Sequence, residues 1–101
     1  VELEIRDIAY IEALGHTLTF HVYNGTLPEK RLCCYSTLSK MEAELDSQGF
    51  VRLHKSFIVN MAHIKKLTCD EVELKEGTKL RVSNKMYPVC RKKYMLWKGT
   101  R

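Results

Sequence analysis

Ten cations fall into two stretches that contain no acid. Ser47 to Cys69 carries Arg52, Lys55, Lys65 and Lys66, and Lys85 to Arg101 carries Lys85, Arg91, Lys92, Lys93, Lys98 and Arg101. The whole chain has a formal net charge of +5, so the remainder carries a net −5. Cations segregated in this way raise a positive field that favours a polyanion, and neutralising phosphates with release of their counterions is the main non-specific term in DNA affinity. Charge alone describes a pair of solvated faces equally well. The side-chain types narrow the choice. Arg91 has a planar fork that matches a guanine edge bidentately, and Lys92 and Lys93 directly after it can hold phosphates on either side. His16 follows Gly15 in what reads as a tight turn between strands, where an imidazole can donate to or accept from a base edge. By itself it reads first as an exposed loop histidine.

Other chemistries find less support. Four cysteines (Cys33, Cys34, Cys69, Cys90) and four histidines (His16, His21, His54, His63) are enough in number for a zinc site, but none shows CxxC or HxxxH spacing, so no metal is expected. Cys33 and Cys34 are adjacent and would point to opposite faces of a strand, which suits a single disulfide badly; reduced thiols are expected. No Gly-rich phosphate loop, nucleophile elbow or pair of catalytic carboxylates occurs. Cys90, beside Arg91 and imagined with His54, lacks a third orienting group. The expectation is no enzyme, no catalytic residue, no cofactor and no small-molecule substrate.

These residues need a scaffold, and 101 residues allow one domain with one core. A 45% hydrophobic, 29% charged composition is that of a globular protein. No apolar run approaches a membrane span and the start does not resemble a secretory signal, so a cytoplasmic location is expected. Val1 to Ile5 and Thr17 to Tyr23 alternate with period two, as half-buried strands do, and flank a third strand from Ile8 to Ala13. Asn24-Gly25 marks a turn, and Pro28 excludes a central strand before Arg31-Leu32-Cys33 resumes an extended pattern. Between Ser36 and Ser47, Leu38, Met41 and Leu45 recur at helical spacing, with Ser36 to cap and Gly49 to stop the helix. Strands are expected again at Ile64 to Leu67, Glu71 to Leu74 and Thr78 to Val82, with a hairpin turn at Glu76-Gly77. Pro88 to Trp97 reads as a short terminal helix. The fold class is mainly β, with one or two short helices.

Phe50-Val51-Arg52-Leu53-His54-Lys55-Ser56-Phe57-Ile58-Val59-Asn60, with Ile64 following, resembles the central signature of the LytTR DNA-binding domain family. Asp7 to Ala13 with Gly15-His16 is similar to the family's early strand and loop. Leu38 to Leu45 fits its helix, and Tyr87-Pro88-Val89-Cys90-Arg91 fits its closing motif. The resemblance implies an elongated fold of small antiparallel sheets whose loops, rather than a recognition helix, enter the DNA grooves. It further implies a bacterial transcriptional regulator, the output domain of a two-component response regulator bound to paired direct repeats near promoters. The chain, residues 1–101, is then expected to be a domain cut from a longer protein with an N-terminal receiver domain, and any dimerisation to run through that absent domain.

The resemblance also implies base contacts from three loops, falling here on His16, Lys55 and Arg91. Lys55 departs from a relative that has Asn: Asn suits adenine, whereas Lys only donates and suits guanine or a phosphate. Arg52, Ser56, Lys65, Lys92 and Lys93 are the expected phosphate contacts, which set register without reading sequence. His54 and Asn60 are expected to be partly structural, Asn60 because its amide can satisfy backbone groups at a chain reversal. Two rival readings are an interaction module using exposed β edges and an RNA-binding domain, the latter disfavoured by the lack of an aromatic stacking platform in the strands.

Overall fold

The structure, a computed structural model, describes residues 4–23 and 30–99. Its strands are β1 (Ile8–Leu14), β2 (Thr17–Val22), β3 (Lys30–Tyr35), β4 (Phe50–His54), β5 (Phe57–Asn60), β6 (Ile64–Leu67), β7 (Glu71–Leu74) and β8 (Lys79–Arg81). Two α-helices, α1 (Leu38–Leu45) and α2 (Tyr87–Gly99), complete it with short 3-10 turns. The strands form two antiparallel sheets, one of five strands in the order β3-β2-β1-β5-β4 and one of three in the order β6-β7-β8.

The five-stranded sheet is a shared wall between two apolar clusters. On one face Ile8, Ile11, Leu18, Phe50 and Ile58 pack beneath Leu38 and Leu45 of α1. On the other, Tyr10, Val51, Leu53 and Val59 meet Ile64, Val72, Leu74 and Leu80 of the small sheet and Cys90 and Tyr94 of α2. This explains why Ile8-Ala9-Tyr10-Ile11 is a run rather than an alternation: β1 is central and buried on both faces. Ile11 and Ile58 sit opposite each other in register and are both 0% exposed. Each such burial contributes about 1.5–3 kcal/mol. His21, also buried, stacks on Tyr10 with ring centroids 4.0 Å apart, and its Nε2 lies 3.2 Å from Glu12 Oε1.

The helices follow their sequence patterns with small shifts. Thr37 rather than Ser36 caps α1: its backbone is extended and its side chain accepts from Lys40 N at 3.3 Å. The helix tightens into a 3-10 turn and is stopped by Gly49 at φ +84°, where a Cβ would lie 3.3 Å from Trp97 Nε1. In α2, Tyr87, Cys90, Tyr94 and Trp97 recur at helical spacing toward the core, and Pro88 occupies the first turn, where a missing N–H costs nothing.

One expected strand is different. Of Val1 to Ile5, residues 1–3 lie outside the described residues, and Ile5 belongs to a 3-10 turn, Ile5–Asp7, with 41% exposure. Both flanks of β1 are already taken by β2 and β5, so no ladder position beside it is open to that segment. The Asn24-Gly25 turn and Pro28 also lie outside the described residues.

Candidate nucleic-acid interface

The sheet register decides which loops meet. β1 and β5 are antiparallel with Glu12 opposite Phe57, and Ala13 N donates to Ser56 O at 2.9 Å. The β1–β2 turn (Gly15-His16) and the β4–β5 turn (Lys55-Ser56) therefore emerge at the same end of the five-stranded sheet. β3 ends there too, because Tyr35 pairs with Thr17. The His16 and Tyr35 rings lie 6.1 Å apart, and Tyr35 is 82% exposed.

Each turn has a local cause. Leu14 pairs with Thr17, leaving a two-residue hairpin loop in which Gly15 has φ +61° and no other residue in the turn is left-handed. That is the type II′ pattern, which matches the twist of the flanking strands and needs glycine first. His16 is thus presented, exposed, at the tip.

In the second hairpin His54 pairs with Phe57 after a bulge between Arg52 and His54. Arg52 pairs with Ile58 and so takes the α1 face of β4. Its Nε donates to His54 O at 2.8 Å, one terminal nitrogen to Lys55 O at 2.9 Å, and the other to Glu42 Oε1 of α1 at 2.8 Å. Ser56 N donates to His54 Nδ1 at 3.2 Å, so a neutral His54 carries its proton on Nε2. The turn's backbone is occupied from within, and the Lys55 side chain is exposed.

The segment leading into α2 is tied to the same region by Ser83 N donating to Leu53 O at 2.8 Å. The other end of the helix reaches Gly49 through Trp97, so α2 runs along β4 with its N-terminus nearer the turns. Arg91 is exposed five residues into that helix, followed by exposed Lys92. Lys93 turns instead toward α1, with Nζ 3.0 Å from Asp46 Oδ1.

The expected site residues therefore divide. His16, Lys55 and Ser56 share one sheet end, and Arg91 and Lys92 lie on the helix whose start is nearest it. Lys65 stands apart: β6 begins beyond the other end of β5, about 10 Å along four residues of strand. It lies 3.9 Å from Glu73 Oε2. Exposed ion pairs of this kind are worth only about 0–1 kcal/mol, so Lys65 and Lys93 can exchange a carboxylate for another anion at little cost. Tyr35 and Glu42 were not singled out by residue type; the Thr17–Tyr35 register and the position of Glu42 beside the Leu38-Met41-Leu45 stripe are the signals that place them.

Asn60 is 4% exposed and joins two elements: its Nδ2 donates to Ile8 O and its Oδ1 accepts from Ala62 N, each at 3.0 Å. All four cysteines are free thiols, Cys90 buried and the rest exposed. Burial pushes the Cys90 thiol up to about 11, with Lys93 acting weakly in the other direction. Among the described residues, no helix is long and apolar enough to cross a membrane.

Comparison with known proteins bears on the fold and the family. A 58-residue stretch is 34% identical to the CO-responsive transcriptional regulator RcoM of Rhodospirillum rubrum, covering 57% of this chain and 22% of that regulator's length. The fold superposes with a TM-score of 0.79 on the LytTr DNA-binding domain of a protein described as a methyl-accepting/DNA response regulator from Bacillus cereus, at 24% identity over 92% of this chain and 85% of that one. The family model described as LytTr DNA-binding domain matches residues 1–95, and with turns and helix arranged as above, the chain belongs to the LytTR family of DNA-binding domains.

Proposed function

We propose that this domain binds duplex DNA sequence-specifically, with His16, Lys55 and Arg91 on base edges, as the output domain of a cytoplasmic two-component response regulator. The observation that carries this reading is the convergence of the Gly15-His16 and Lys55-Ser56 turns on one sheet end, set by the Glu12–Phe57 register. Two protruding two-residue turns and a cationic helix start are shaped to enter grooves, and phosphate contacts from Ser56, Lys92 and, by exchange of their carboxylate partners, Lys65 and Lys93 would fix the docking. The rest of the regulator, a receiver domain and any dimer contact, lies outside this chain in this reading, with paired direct repeats as the target. The matched segment is only about a fifth of the RcoM regulator's length, so input signals are not carried over from it.

The test is a salt titration of binding to a selected duplex, a random duplex, single strands and RNA. With about three phosphates neutralised, by Lys65, Lys92 and Lys93, log affinity should fall against log salt with a slope near −3 on duplex. A slope near zero, or equal affinity for single strands, refutes the reading. The exposed edge strand β3 supports a second possibility, partner binding by strand addition. That reading requires a complex insensitive to duplex competitor.

A further inference from the structure

We infer that Arg52 is a positioning residue for DNA reading: it shapes the Lys55-Ser56 turn from behind, anchored by Glu42 of α1, and does not bind phosphate itself. The inference rests on the proposed role of Lys55. Three of the five guanidinium N–H groups are committed at 2.8, 2.9 and 2.8 Å, to His54 O, Lys55 O and Glu42 Oε1, and the side chain is only 18% exposed.

The chemistry explains why arginine is needed. His54 O belongs to the His54–Phe57 pair that closes the hairpin, and Lys55 O is the next carbonyl, at the apex and beyond that last strand pair. Unheld, the apical Lys55 carbonyl can turn outward, toward DNA phosphates that repel it. A rigid fork takes both carbonyls from the inner side while its third direction reaches a carboxylate. With the carbonyls held inward, and with Ser56 N on His54 Nδ1 and Ser56 O on Ala13 N, the Lys55 side chain is left outward. Lysine has one ammonium and cannot reproduce this spread of donors. Glu42 also neutralises Arg52 locally, so this cation adds little to counterion release.

The experiment compares wild type, Lys55→Ala, Arg52→Lys and the net-charge-conserving pair Glu42→Gln/Arg52→Gln, each alone and with Lys55→Ala, on a selected and a random duplex over a salt series. Circular dichroism and thermal melts confirm that each variant is folded at the assay temperature. Arg52→Lys and the charge-conserving pair should each lose about tenfold in affinity for the selected duplex, as Lys55→Ala does. Random-duplex affinity should change less than about twofold, the salt slope should stay constant, and either change should add less than about twofold on top of Lys55→Ala. A phosphate contact gives a different result: the charge-conserving pair would lose affinity equally on both duplexes, lower the slope by about one unit and add fully to Lys55→Ala. That outcome, or unchanged discrimination in both Arg52 variants, overturns the inference. If Lys55→Ala itself leaves discrimination intact, the base-reading assignment of Lys55 fails first and the role of Arg52 falls with it.

Discussion

Replacing Asn60 with alanine should destabilise the domain by about 2–4 kcal/mol without altering what the folded protein recognises. The magnitude follows from what would be left behind. Asn60 Nδ2 satisfies the carbonyl of Ile8, a residue only 2% exposed, and Oδ1 satisfies the N–H of half-buried Ala62. Each hydrogen bond contributes about 1 kcal/mol net, but an abandoned buried partner costs about 1–3 kcal/mol. Ile8 O carries the full penalty because water cannot reach it. The Ala62 N–H is nearer solvent and carries less. For a domain of this size, about 1 kcal/mol shifts Tm by roughly 4 °C, so a fall of about 8–16 °C is expected in a calorimetric or circular-dichroism melt. Asn60→Asp should be at least as damaging, because a carboxylate would face the Ile8 carbonyl with no donor. Affinity for the selected duplex, measured well below the transition, should remain within about twofold of wild type if Asn60 has no part in recognition. A loss below about 0.5 kcal/mol, or normal stability with lost discrimination, would show that Asn60 serves the DNA rather than the fold.

Three further outcomes are expected. Gly49→Ala should cost about 1–2 kcal/mol or more in chemical denaturation, because a left-handed φ of +84° strains any Cβ and this one meets Trp97; a neutral result would mean the turn rearranges freely. Because the folded-state value of Cys90 is raised to about 11 from 9.0, its thiol contributes no pH dependence below about pH 9, and stability should fall as pH climbs from 9 toward 11, where only the unfolded chain ionises it. Tyr94, also raised by burial, acts in the same direction, so the test is whether Cys90→Ala flattens the first part of that decline. In binding-site selection, Arg91→Ala should relax a single base position, worth about 1–3 kcal/mol, and Lys55→Asn should shift one step from guanine toward adenine; identical consensus sites from wild type and both variants would remove these residues from the reading set.

Much of this architecture could be read from the chain because local and tertiary demands agree in it. Ile8 to Ala13, the Glu76-Gly77 turn and the Leu38-Met41-Leu45 stripe each state one structure and find it. The helix start moved by a single residue because Ser36 and Thr37 are both competent caps and only backbone geometry chooses between them. Glu4-Ile5 alternates like a strand, yet alternation cannot say whether a ladder position is open. The site shows the same boundary. Charge and resemblance picked out His16, Lys55 and Arg91, but no spacing in sequence reveals that Glu42, ten residues before Arg52, supplies its partner, or that Lys65 starts from the other end of β5. Those facts are set by the bulge in β4 and by the register of β1 on β5.

That register has a kinetic consequence. β1 and β5, like β4, are walled in by both apolar clusters, and the reading turns are their immediate continuations, two residues long. Backbone order at the tips is therefore present before any ligand arrives, and association has only the exposed side chains of His16 and Lys55 left to immobilise there. Encounter should be limited by diffusion and electrostatic steering rather than by a folding step, with a single-exponential association rate that rises linearly with DNA concentration. Amide exchange in β1 and β5 should be the slowest in the molecule and should hardly change on binding, since the protection that DNA would confer is already built into the wall from which the turns project.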